Sequence, residues 1–197
     1  GKVAPLQLSD TTLTTAGRTQ SPTPTASASS SSGVLLGAYK YKLLSMIAGV
    51  RQAGSATSTA VSVTDKQIGL SWTADANTSV TGYEVYRTSG TGDVFYFVDY
   101  VDGRTTVAYT DNTSDITILE NRVLEEHGDA PPTTYFAEPH KQRMWYLRTD
   151  TNPTRGYFSD PGDPESVYTG ASYLDFSDAE TVGDVITGGV GNYEGSL

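Results

Sequence analysis

Gln67–Arg87 reads QIGLSWTADANTSVTGYEVYR, and this stretch decides the fold. Ile68, Leu70 and Trp72 alternate with Gly69, Ser71 and Thr73, so three large apolar side chains share one face of an extended segment. After a polar connection from Asp75 to Gly82, Tyr83 and Val85 repeat the pattern. Two half-buried antiparallel strands with a core Trp predict the heart of a small β-sandwich, with Ile68, Leu70, Trp72, Tyr83 and Val85 in its core.

Working outward, Tyr39, Tyr41 and Leu43 face one way and Lys40 and Lys42 the other, as in a strand with one wet face. Ala56–Thr64 predicts a weaker strand with Val61 and Val63 inward. Gly90–Asp93 (GTGD) is a turn signal, after which Val94, Tyr96, Val98 and Tyr100 alternate with Phe95 and Phe97. Val107 and Tyr109 make a last short strand. Six strands in about eighty residues is sandwich spacing. With abundant Gly, Ser and Thr and 13 Tyr among 197 residues, an all-β chain is expected.

The flanks read differently. Residues 1–32 are expected to be an N-terminal arm and a Ser/Thr/Pro-rich linker, because Ser21–Ser32 (SPTPTASASSSS) has neither apolar period nor charge. A glycosylated stalk is the alternative for that segment. The sandwich is expected over 33–115, and 116–132 as a linker holding one short helix, since Ile116, Leu119 and Val123 fall at helical spacing before Pro131-Pro132. Over 133–197 short strands are predicted at Tyr135–Ala137, Arg143–Thr149, Arg155–Ser159, Tyr173–Phe176 and Asp184–Thr187. That density points to the start of a β-propeller-like domain.

The net charge of −10 weighs against a sequence-reading nucleic-acid binder, which needs clustered Lys and Arg, but not against a surface that DNA slides past. The absence of Cys removes disulfides, cysteine-ligated zinc and thiol catalysis. No stretch reaches the roughly 18 apolar residues of a membrane span, so none is expected. Gly1 at the start is read as a processed, engineered or partial chain.

Asp160, Asp163 and Glu165, in SDPGDPE, form the densest carboxylate cluster. Two prolines and Gly162 make it a stiff double turn, and the full oxygen set of a calcium site is missing. Asp175, Asp178, Glu180 and Asp184 are similarly acidic, without a spacing that shows two carboxyls facing one bond. His140 reads as a strand-edge histidine, since no nucleophile or metal-protease signature accompanies it. No catalytic residue, metal or cofactor is therefore expected. Lys141, Arg143, Arg148 and Arg155 are the most basic stretch of an acidic chain, suited to meeting a neighbouring subunit's acidic face or DNA phosphates.

LSW (Leu70–Trp72), GYEVYR (Gly82–Arg87) and YTDNTSD (Tyr109–Asp115) together resemble a fibronectin type III domain. GAYKYKLL (Gly37–Leu44) stands ahead of LSW, although that family places its Tyr-x-Tyr strand late, so the order resembles a circular permutation. His140–Val167, HKQRMWYLRTDTNPTRGYFSDPGDPESV, and GDVITGG (Gly183–Gly189) are similar to segments of the tail-nozzle or tail-hub proteins of short-tailed phages. The resemblance spans roughly residues 33–197. It implies a structural virion protein of the tail or head closure, related to those that stabilise packaged DNA. Such a protein assembles in the host cytoplasm as a homo-oligomeric ring with portal, adaptor or other tail proteins and lets DNA through. Two other readings fit the sandwich alone: a carbohydrate-binding or adhesion module of a secreted protein, and an exterior capsid decoration or receptor-binding protein.

Overall fold

The computed structural model describes residues 6–9, 12–15, 17–177 and 185–189. The described residues are all-β apart from one short helix, and the chain divides into two compact units. Thr19–Glu126 forms one; Gly1–Arg18 with His127–Leu197 forms the other. Both boundaries differ from the expected ones, as the strand pairings explain. Among the described residues, no helix is long and apolar enough to cross a membrane.

In the N-terminal segment, β1 (Leu6–Ser9) and β2 (Thr12–Thr15) pair antiparallel, a hairpin where an extended arm was expected. The Thr19–Glu126 unit then carries β3 (Thr25–Tyr39), β4 (Tyr41–Ile47), β5 (Val50–Arg51), β6 (Val61–Ser71), β7 (Gly82–Thr88), β8 (Phe95–Asp102) and β9 (Ala108–Asp111). They form two sheets, β3-β6-β9 and β5-β4-β7-β8, antiparallel throughout. Leu35, Tyr39, Ile68, Leu70 and Trp72 from one side meet Tyr41, Leu43, Tyr83, Val85 and Val101 from the other in a common core, a sandwich-like arrangement. Trp72 packs edge-on against Tyr83 at 5.3 Å between ring centroids.

The linker expected at Ser21–Ser32 is largely strand. Thr25 and Ala26 pair with Ser71 and Leu70, and Ser21 is buried. Small polar side chains suit an edge strand whose faces stay mostly wet, so no apolar period announces it. Five extra residues then bulge out, since Ala28 pairs with Ile68 but Leu35 with Lys66. Gly33 lies against the Lys66–Gln67 backbone, where an added Cβ would sit 2.6 Å from Gln67 N.

Tyr39, Tyr41 and Leu43 do all point inward, but from two strands. The chain leaves one sheet after Tyr39 and enters the other at Tyr41. The predicted strands Ala56–Thr64 and Gln67–Thr73 merge into β6, which begins at Val61. Asp65 takes a left-handed φ of 50° there, and the inward residues shift from odd positions (Val63) to even ones (Ile68, Leu70).

The irregular segment before β6 lies along β4 and satisfies its backbone with serines. Ser55 N–H donates to Leu43 O at 2.9 Å while Ser55 Oγ accepts from Leu43 N–H at 2.9 Å, and Ser58 does the same with Tyr41. Ser21 Oγ accepts from Ser45 N–H at 2.8 Å. Paired in this way, the groups escape the cost of buried, unmet donors.

After β9, α1 (Asp115–Leu119) starts at a Ser114 N-cap whose side chain accepts from Thr117 N–H. Its inward residue is Ile118, whereas Ile116, Leu119 and Val123, the predicted stripe, are exposed. The expected linker is instead a strap on the outer face of the second sheet. Phe97 N–H donates to Arg122 O at 2.9 Å and Leu124 N–H to Phe95 O at 2.8 Å, closing Leu124 over Leu44 and Tyr86. β7 is therefore buried on both faces.

In the other unit, β10 (Phe136–His140), β11 (Arg143–Leu147), β12 (Arg155–Phe158) and β13 (Tyr173–Asp175) form an antiparallel meander in sequential order. Tyr146, Tyr157 and Val167 are its core, with Met144 and Tyr173 packed against them. Of the further strand predicted at Asp184–Thr187, Asp184 lies outside the described residues and 185–187 are not strand.

Candidate functional site

The basic stretch is where sequence and geometry meet. β10 and β11 close through a two-residue turn, with His140 opposite Arg143 and Lys141 and Gln142 between them. Both turn residues are left-handed, φ 47° and 63°. Two positive φ values define the turn whose twist matches a hairpin, and Asn-Gly is its usual occupant because other side chains clash there. Lys141 and Gln142 thus hold strained backbone at an exposed tip. Gly162 N–H anchors that tip by donating to Gln142 O at 2.7 Å.

The four basic residues do not form one patch. Arg143 donates to Ser159 O at 2.6 Å and lies over Phe158, 5.2 Å from the ring centroid. Arg148 covers Tyr135 at 4.4 Å and donates to Ile186 O at 3.3 Å. Arg155 pairs with Asp175 at 3.1 Å and covers Tyr173 at 4.2 Å. Each guanidinium joins a ring to an acceptor and ties the meander together. Lys141 alone projects from the tip with no ion pair among the described residues.

The carboxylates of the double turn are directed at protein donors. Asp160 accepts from Ser166 Oγ at 2.6 Å, and Glu165 from Gly17 N–H at 3.1 Å. Asp163 pairs with Arg18 at 3.0 Å and lies 3.2 Å from His127 Nε2. Tyr146 donates to Pro164 O at 2.6 Å, and burial, then the Glu165 and Asp163 charges, push its phenol up to about 12. The turn thus fastens residues 17–18 and His127 to the meander. Asp175 is held far below the usual carboxylate range by the Thr154 hydroxyl, Arg155 and the Ser177 backbone. Asp178, Glu180 and Asp184 lie outside the described residues. Among the described residues, no group of three His, Cys, Asp or Glu could hold a metal ion.

Two further networks in the sandwich unit escaped the reading of the sequence, although their residues lie inside the quoted motifs. Arg87, fully buried at the end of GYEVYR, donates to Asp111 Oδ2 at 3.0 Å and to Asp115 Oδ1 at 2.9 Å. Tyr41 donates to the same Asp111 oxygen at 2.8 Å, and Tyr39 stacks 4.7 Å from the guanidinium. Burial first, then the Asp111 charge, raise the Tyr41 phenol well above its ordinary value, so it remains a donor. On the opposite face of β7, Glu84 accepts from Arg51 at 2.8 Å, Arg122 at 2.7 Å and Tyr86 at 2.9 Å. Arg122 also covers Phe97 at 3.8 Å. The alternation of β7 sends Arg87 to the core side and Glu84 to the strap side, so one strand carries both braces.

Two shallow depressions in this unit, of about 300 and 320 Å³, are lined mainly by Thr, Ser, Pro and Ala, with Asp75 and Asn77 in the second. All the titratable clusters described are tied into packing, and the tip of the β10–β11 hairpin is the best candidate for an outward contact. No protein-family model matches this chain, and no curated protein matches it.

Proposed function

We propose that the chain is a structural subunit of a short-tailed phage tail, in a nozzle, hub or head-closure ring that contributes to the DNA channel and to holding or delivering the genome. The observation that carries this reading is the β10–β11 tip. Strained backbone there displays Lys141 while the surrounding arginines are occupied in bracing, which suits a contact made with a neighbouring subunit or with passing DNA. In this reading the Thr19–Glu126 unit is a permuted fibronectin type III-like module. The meander, four antiparallel strands in chain order, is a propeller-like blade. The partners are further copies of the chain and portal, adaptor or tail proteins, the location is the virion, and no catalytic step is assigned. The surplus of negative charge suits a conduit to which DNA does not adhere.

The test is native mass spectrometry and electron microscopy of the full-length protein, alone and in isolated virions. Closed rings are expected, because a head-to-tail interface that repeats must close or grow into a filament. A monodisperse monomer in both settings, or saturable binding on a polysaccharide array, would overturn the reading.

A further inference from the structure

β3, β9, β5 and β8 are the edge strands of the sandwich unit's two sheets, and three of them carry the devices that keep an edge from pairing with other chains. β8 is covered at Phe95 and Phe97 by the strap and bears Asp99 and Asp102 beyond it. β5 is two residues long and ends in Arg51, and β9 is four and ends in Asp111. β3 differs, since it runs for 15 residues and no charged residue occurs from 19 to 39. Its open positions follow from the ladder. Trp72 N–H donates to Val107 O at 3.1 Å, so even-numbered residues at this end of β6 bond toward β9, and Gly69 and Ser71 bond toward β3. Their partners Ser27 and Thr25 are thereby engaged, and Ala26 and Ala28 turn N–H and C=O away from the sheet. Among the described residues no backbone hydrogen bond reaches those outward groups. The depression of about 300 Å³, with residues 23–26 on one side and 57–59 on the other, lies against this edge. Beyond Ala28 the bulge is pinned back onto β6 by Lys66 Nζ on Ser30 O at 3.0 Å and Gln67 Nε2 on Ser32 O at 3.1 Å. Before Thr25 stands Pro24, which has no N–H, so the open slot is residues 25–28.

We propose that this slot accepts an extended, uncharged segment of another protein, added beside β3 as a further strand of its sheet. The outward main-chain groups of Ala26 and Ala28 select backbone in the extended conformation, and the groove selects the side chains that come with it. Its walls are Thr, Ser, Pro and Ala, so a charged side chain there would lose hydration without meeting a counter-charge, whereas Thr or Val suits both a strand and a small groove. A second copy of β3 fits the slot less well. Paired antiparallel with its twin, each β3 would bring its own bulge against Pro22 and Pro24 of the other, where a free segment of four or five residues simply ends. The inference rests on the sandwich unit alone and holds whether or not the chain belongs to a tail.

Titration of the full chain with the capped peptide Thr-Val-Thr-Val-Thr and with its backbone N-methylated counterpart tests it, read by NMR and amide hydrogen exchange. The first is expected to bind saturably and the second, with the same side chains but no N–H, at least about tenfold more weakly. In the free chain the Ala26 and Ala28 amides should exchange fast, and at saturation they should slow by about tenfold or more, while Thr25 and Ser27 are protected throughout. Ala28→Pro removes one outward N–H and leaves the ladder to β6 in place, so it should lose about tenfold in affinity with an unchanged circular dichroism spectrum. The two peptides on the wild type decide the matter independently of that variant. Equal binding of the N-methylated peptide, the absence of saturable binding, or protection at other strands but not at Ala26 and Ala28 would overturn the proposal. So would tighter binding of a peptide with Lys in place of both Val, since net charge would then explain capture, or a dimer in sedimentation velocity that Ala28→Pro dissociates, since β3 would then be its own partner.

Discussion

Replacing Asp111 by Asn tests the brace between the two sheets. Arg87 on β7 and Asp111 on β9 are both fully out of solvent and 3.0 Å apart, so the substitution leaves a guanidinium facing a neutral amide. Breaking one partner of a buried pair costs about 3–5 kcal/mol, because the remaining charge keeps its desolvation penalty. Asp115, 31% exposed and 2.9 Å from the other guanidinium nitrogen, retains part of the compensation. The lower end, about 3 kcal/mol, is therefore expected, with a fall in melting temperature of more than about 10 °C for a unit of this size. Urea unfolding followed by Trp72 fluorescence, in a Trp145→Phe background that silences the other unit, measures it. Arg87→Met combined with Asp111→Asn should recover part of the loss, because the buried guanidinium is gone and the carboxylate left without it, Asp115, is 31% exposed. Arg87 Nε has no hydrogen-bond partner even in the native arrangement, so the network is replaceable in principle. A loss below about 1 kcal/mol, or single substitutions that simply add, would refute the reasoning.

Three further outcomes follow from the same structure. Burial alone would raise the Glu84 carboxyl, but Arg51, Tyr86 and Arg122 outweigh it and hold the group below its ordinary value of 4.5. Its folded value lies under its unfolded one, so its stabilisation is present above about pH 4.5 and is lost as pH falls through the folded value. Glu84→Gln should flatten the decline of the urea midpoint on acidification below that pH. Gly33→Ala places a Cβ 2.5 Å from Asn112 Oδ1 and 2.6 Å from the Lys66–Gln67 backbone, and should cost about 1–3 kcal/mol in denaturant unfolding. Lys141→Asn with Gln142→Gly replaces two strained residues by those the hairpin turn prefers. It should stabilise the meander by about 1 kcal/mol in thermal melts while weakening any ring that uses Lys141.

Much of the fold was legible because strand alternation is a local property. Ile68, Leu70, Trp72, Tyr83 and Val85 could be assigned to a buried face from their spacing, whereas the hairpin through Lys141 and Gln142 emerged only from the pairing of Phe136–His140 with Arg143–Leu147. The features that failed depend on partners distant in the chain. Ser21–Ser32 carries no apolar period, and most of it becomes strand only because β6 is beside it to pair. The helical spacing of Ile116 and Leu119 was correctly seen, but which face turns inward is decided by where Ile118 finds a buried site.

The candidate site divides the same way. A count of basic residues groups Lys141, Arg143, Arg148 and Arg155 together, whereas cross-strand neighbours occupy three of them and leave Lys141 at the tip. By itself the sequence determined the all-β class and the inward faces of Ile68–Trp72 and Tyr83–Val85, because a period of two is written residue by residue. Only the tertiary structure decided that the chain changes sheets at Lys40, that Arg87 meets Asp111, and which charges remain outward. Each of those depends on the burial and pairing of residues far apart in sequence.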